Sequence, residues 1–126
     1  MFVSEKIISY GNPVSEKSFQ FAIRILKFYK HSISKENSLK LIFKQILKSG
    51  TSIGANVAES KNAVSKADFI NKLSIALKEA RETEFWLKLL YESDTIKNNE
   101  YESLSANCDE LIRLLTSIIK TLKSKL

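Results

Sequence analysis

The sequence is short of glycine, proline, cysteine and histidine. Three glycines and one proline in 126 residues leave too few turn-formers for a many-stranded β protein, whose hairpins depend on them. The single cysteine, Cys108, cannot close an internal disulfide, and no thiol or histidine lies near it along the chain. The single histidine, His31, excludes a di-iron bundle, which needs two Glu-x-x-His pairs. It also removes most histidine-based acid–base and triad chemistry. No apolar run approaches the roughly 18 residues that cross a bilayer. Met1-Phe-Val-Ser-Glu-Lys lacks the basic start and apolar stretch of a secretory signal. These absences predict a cytoplasmic, all-helical, non-enzymatic protein without cofactor, metal or membrane association.

What is present fits one folded domain. Hydrophobic residues make up 44% of the chain and charged residues 27%, a balance that a disordered segment does not reach. The net charge of +6 is unevenly spread: residues 1–48 hold nine Lys/Arg against three Asp/Glu, and the two types balance in the rest. A localised basic surface attracts polyanions; the competing reading is a solvated face that serves solubility.

Four helices follow from periodicity. Asn12-Pro13 is an entry signal, and residues 14–32 carry an apolar arc of about 220° (Phe19, Phe21, Ala22, Ile23, Ile25, Leu26, Phe28, Tyr29). That is wider than one core contact requires, so Phe21, Ile25 and Phe28 are expected to meet another subunit. A second helix over 39–60, with Ser38 as its cap, has Leu39, Ile42, Phe43, Ile46, Leu47, Gly50, Ile53, Gly54 and Val57 on one face. Lys40, Lys44 and Lys48 form a ridge on the opposite face. Gly50 and Gly54 each weaken a helix by about 1 kcal/mol relative to alanine, which close approach of a neighbouring backbone would offset.

Ser65-Lys-Ala-Asp68 starts a third helix, to about residue 92. Its seam is Phe69, Leu73, Ala76, Ala80, Thr83, Leu87 and Leu90. Outside that seam lie Ile75, Phe85, Trp86 and Leu89, a second surplus face; Trp86 and Leu89 are expected at the subunit interface. The fourth helix, 99–124, repeats Tyr101, Leu104, Cys108, Leu111, Leu115, Ile118 and Leu122 without a break. Short connections make neighbours antiparallel. The architecture expected is an up-down four-helix bundle over residues 13–126, with residues 1–12 as an N-terminal extension whose Phe2, Val3, Ile7 and Ile8 could dock on the bundle or a neighbour.

Three motifs resolve into structural roles. Gly50-Thr-Ser-Ile-Gly54-Ala-Asn departs from a phosphate-binding loop: three residues separate its glycines instead of four, and no Lys-Ser/Thr follows. Glu84 falls within the apolar arc of the third helix, which suits either a catalytic carboxylate of raised pKa or, the favoured reading, a register-setting ion pair with Arg81 or Lys88. Cys108 sits in a heptad seam as a small core residue. There remains the basic arc Lys17, Arg24, Lys27, His31, Lys35, Lys40, Lys44 and Lys48, which has no interleaved aromatic platform for base readout.

Two stretches, Gln45 to Glu59 and Ser65 to Leu90, with Lys17-Ser-Phe-Gln-Phe-Ala22 and Tyr101 to Ile119, resemble the bacterial four-helix bundle family named for proteins encoded in 23S rRNA intervening sequences. The likeness spans residues 13–122. It implies a ring-shaped homopentamer of antiparallel bundles with a basic surface, and kinship with an accessory protein of diversity-generating retroelements. Ribosomal-protein naming in this family follows gene location, and the family supplies no catalytic residues to transfer. The expected function is a non-enzymatic oligomeric scaffold binding structured RNA, or DNA, through phosphates, with Arg24, Lys27, Lys40, Lys44 and Lys48 as contacts. The assembly residues would be Phe21, Ile25, Phe28, Trp86 and Leu89. The alternative is an adaptor ring that binds an acidic protein partner and no nucleic acid.

Overall fold

Among the described residues four helices form, α1 Val14–Lys35, α2 Lys40–Ser60, α3 Lys66–Glu92 and α4 Asn98–Ser124. The computed structural model describes residues 13–35 and 37–124, and no strand occurs among them. The extension 1–12 and the expected capping residue Asn12 lie outside the described residues. Contacts between helices fix their directions. Gly50 and Gly54 of α2 lie against Ile25 and Ser18 of α1, and Ser49 of α2 bonds Thr83 of α3 while Glu59 pairs with Lys72. Tyr91 of α3 stacks on Tyr101 of α4 with centroids 4.3 Å apart, and Cys108 of α4 meets Ala80 of α3. Lys17 and Arg24 of α1 reach Glu110 and Asn107 of α4. In every pair, residue numbers rise on one helix as they fall on the other. All four neighbours are antiparallel, the arrangement of a four-helix bundle.

The core forms where sequence periodicity matches helix geometry. On α3, Phe69, Leu73, Ala76, Ala80, Thr83, Leu87 and Leu90 are buried; on α4, Leu104, Cys108, Leu111, Ile112, Leu115, Ile118, Ile119 and Leu122 are buried. Both sets follow the 3-4 repeat that keeps one stripe facing a partner. Ser65 caps α3, accepting a 3.0 Å bond from the Asp68 N–H. Asp68 in turn accepts from the Val64 N–H at 3.2 Å, so two otherwise unpaired donors are satisfied. At the far end of α3, Asp94 takes φ 59°. The Thr95 N–H reaches Leu90 O at 2.8 Å and the Asp94 N–H reaches Tyr91 O at 3.0 Å. This paired bonding, with its left-handed residue, stops α3 and turns the chain into α4.

Two expectations require correction. α2 begins at Lys40 with Leu39 at the cap position and no side-chain cap bond, so Ser38 is not the N-cap. On α1 the apolar arc was divided at the wrong edge. Phe21, Ile25 and Phe28 are buried in the chain's own core together with Val14 and Ser18, and Phe28 packs edge-on against Phe43 of α2 with centroids 5.7 Å apart. Those five residues follow the same 4-3-4-3 spacing as the other seams. The surplus faces the other way: Phe19 is 60% and Leu26 48% exposed.

Gly54 explains why Ser18 belongs to the core stripe. A Cβ on Gly54 would stand 3.0 Å from the Ser18 carbonyl oxygen, so the α1 and α2 backbones touch here and only a small residue fits on either side. Four buried hydroxyls mark the same economy of space. Ser18, Ser49, Ser60 and Thr83 each bond a carbonyl of their own helix, which satisfies the polar group without another partner. Thr83 and Ser49 also share a 2.8 Å bond across the α2–α3 contact.

Candidate nucleic-acid interface

The basic ridge of α2 arises from phase. Its core residues Phe43, Ile46, Ile53 and Val57 are buried, and Lys40, Lys44 and Lys48 lie about 160° around the helix from the centre of that stripe. All three are exposed. None takes part in an ion pair among the described residues. At 1.5 Å per residue the three ammonium groups spread over about 12 Å, comparable to the axial rise of three to four phosphates on one strand at roughly 3.4 Å each.

The cations of α1 are not part of that ridge. They project toward the α1–α4 seam, and two of them are occupied there. Lys17 Nζ donates to Glu110 Oε2 at 2.8 Å. The Arg24 guanidinium donates to Asn107 Oδ1, to Ser103 Oγ at 2.9 Å and to the Ser103 carbonyl at 3.3 Å. Arg24 therefore braces α1 against α4 through three of its five N–H groups. Lys27, His31 and Lys35 are exposed. The single expected arc thus resolves into an α2 ridge and a separate row on α1.

The exposed apolar residues also fall elsewhere than expected. Leu89 is 42% exposed and Phe85 beside it 59%. Trp86 is half-buried, packed on the core and on Phe85, with its indole N–H donating to Glu82 Oε2 at 3.2 Å. Leu41, next to the lysine ridge, is 78% exposed. Phe19, Leu26 and Phe85, named on the surplus arcs, fall outside the expected interface, and Leu41 is missed altogether.

The remaining candidates carry no visible chemistry. Glu84 is exposed, and it forms an ion pair with neither Arg81 nor Lys88, so the buried register pair does not exist. Its charge acts instead on the Cys108 thiol of α4. The Cys108 thiol is buried and donates to the Ala80 carbonyl at 3.2 Å. Burial first, then the Glu84 and Asp109 carboxylates, push its pKa up to about 12, which leaves a thiol rather than a nucleophilic thiolate. Among the described residues no group of three His, Cys, Asp or Glu could hold a metal ion, and no helix is long and apolar enough to cross a membrane.

Residues 12–117 match the family described as 23S rRNA-intervening sequence protein. The chain is also similar to a protein of unknown function from the S23 ribosomal protein family of Bacteroides thetaiotaomicron VPI-5482, known from a crystal structure at 1.70 Å resolution. The two sequences are 52% identical, the match covers 85% of this chain and 98% of the other, and the TM-score is 0.81. No curated protein matches the chain. The chain belongs to the 23S rRNA-intervening sequence protein family, whose function is not established.

Proposed function

We propose that the protein is a non-enzymatic, self-associating scaffold that binds structured RNA through its phosphates. The observation that carries this reading is the row Lys40, Lys44 and Lys48: three exposed ammonium groups on one rigid helix face, free of ion pairs among the described residues. A surface built only for solubility gains from mixing both signs, whereas this face holds a single-sign ladder. Lys27 adds a further exposed cation on α1. Arg24 leaves the contact set in this reading, since three of its N–H groups brace α1 against α4.

Self-association rests on two separate apolar faces, Phe19 with Leu26 on α1 and Phe85 with Leu89 on α3. α1 and α3 stand diagonally across the bundle, so the faces point in different directions. A contact between one face and the other on the next copy is heterologous, and it closes into a ring when the rotation per subunit permits. The pentamer implied by family resemblance is one such closure.

Sedimentation velocity of the protein alone and with a structured rRNA fragment, at low and physiological salt, tests both parts. An oligomer that shifts onto the RNA and releases it as salt rises supports the reading. An oligomer that ignores RNA at both salts favours the adaptor ring, and a monomer removes the assembly.

A further inference from the structure

One end of the bundle holds a cavity of about 370 Å³, within the range of roughly 300–1,000 Å³ typical of small-molecule sites. Segments far apart in sequence build it: the last turns of α1, the start of α2, the turn after α3 and the first turn of α4. Its lining divides by chemistry. Leu39 and Ile96 present apolar surface with buried Phe43 behind them, His31, Lys35 and Lys97 place donors beside it, and Glu100 adds one carboxylate. Neither Lys35 nor Lys97 forms an ion pair among the described residues. A purely apolar ligand would leave those two ammonium groups unused, and an inorganic anion would leave the apolar surface unused. The combination suits an anion with a flat apolar body.

The position of the cavity identifies the source of that ligand. Leu39 and Phe43 both line it, and Lys40, the first lysine of the ridge, lies between them in α2. A strand whose phosphates follow Lys48, Lys44 and Lys40 therefore arrives at the mouth. A second, shallower hollow of about 270 Å³ shares His31 and Glu100 with the first and continues past Lys27, which gives the strand a cationic way out.

We propose that this cavity receives one unpaired nucleotide of the bound RNA. The base lies against Leu39 and Ile96, its phosphate is held by Lys35 and Lys97, and Glu100 accepts from the sugar hydroxyls, the group by which a protein distinguishes RNA from DNA. The inference rests on the RNA-binding reading and adds a preference that the α2 ridge alone cannot supply, because a row of lysines does not sense whether a base is paired.

The test is equilibrium binding of two RNA hairpins to the full-length protein, one fully paired and one with a single-nucleotide bulge. Seating one base face on the apolar lining, about 60 Å² at roughly 25 cal/mol per Å², predicts about tenfold tighter binding of the bulged hairpin. Thr95→Trp, at an exposed residue of the lining, fills the cavity without altering charge. It is expected to abolish the tenfold preference while leaving the paired hairpin within about twofold of the parent, with circular dichroism confirming the fold. Lys35→Glu/Lys97→Glu is expected to reduce the preference as well, whereas Lys40→Glu/Lys44→Glu/Lys48→Glu weakens both hairpins alike. Equal binding of the two hairpins by the parent overturns the cavity proposal and leaves the ridge standing, as does a Thr95→Trp protein that keeps the preference. Failure of the parent to bind either hairpin overturns the RNA reading and the cavity proposal together.

Discussion

Replacing Gly54 with alanine sets two known effects against each other. Removing a glycine from the middle of a helix gains about 1 kcal/mol from propensity alone. The new Cβ would stand 3.0 Å from the Ser18 carbonyl oxygen and 3.3 Å from its carbon, inside ordinary van der Waals separation. The obstacle is backbone in the second turn of α1, so relief requires α1 and α2 to move apart along their contact. Overpacking of this kind costs about 1–3 kcal/mol, and a backbone obstacle belongs in the upper half of that range. The net expectation is a loss of about 1–2 kcal/mol, lowering Tm by roughly 3–8 °C for a domain of this size. Urea and thermal unfolding at fixed protein concentration measure it. Exposed Ala55 supplies the control, because Ala55→Gly should cost about 1 kcal/mol through propensity alone. A Gly54→Ala protein about 1 kcal/mol more stable than the parent would refute the close-approach argument. Gly50→Ala offers a contrast: its Cβ would meet Ile25 Cγ1 and Cγ2, both at 2.9 Å. That obstacle is a side chain, so Ile25→Ala should partly rescue it and give a measurable coupling in a double-mutant cycle.

Other expectations follow from the core, the seam and the surface. Phe21→Ala should destabilise the chain by about 3–5 kcal/mol, whereas Phe19→Ser/Leu26→Ser should leave unfolding nearly unchanged and shift sedimentation toward smaller species; the reverse pattern would restore the original division of the α1 arc. Arg24→Ala should reduce stability by about 1 kcal/mol through lost bonds to α4 while keeping RNA affinity within about twofold, and a large affinity loss would return Arg24 to the contact set. The Cys108 thiol, near pKa 9 when unfolded and raised to about 12 by burial and the Glu84 and Asp109 charges, stabilises the fold fully below pH 9. That contribution declines from pH 9 to 12, because the unfolded chain loses its proton first, at up to about 1.4 kcal/mol per pH unit. The stability difference between the parent and Cys108→Ala should therefore shrink between pH 7 and pH 10 in urea titrations, and a pH-independent difference would contradict the assignment.

α3 and α4 were legible in the sequence because each has one uninterrupted 3-4 stripe, and a single stripe leaves no choice of inward face. α1 has two: Phe21, Ile25 and Phe28 on one, Phe19, Ile23 and Leu26 on the other. Width alone could not choose between them. The deciding clue was Ser18, which continues the first stripe and is small because Gly54 lies against it. The α2 ridge was readable, since outward phase follows once the core is known. The role of Arg24 was not, because Ser103 and Asn107 lie 79 and 83 residues away and no local pattern marks that pairing. The end cavity was equally hidden, as four separate segments combine to line it.

The most direct test of the phosphate-binding account is the salt dependence of RNA affinity, measured for the parent and for Lys40→Glu/Lys44→Glu/Lys48→Glu. Three neutralised phosphates per subunit contribute about −2.1 to −2.7 to the slope of log K against log salt, or roughly a 20- to 40-fold loss of affinity between 50 and 200 mM salt. The account predicts that the triple variant sediments like the parent yet loses that slope together with most of its low-salt affinity. A variant that binds RNA with the parent's affinity and slope would show that the α2 ridge is only a solvated face.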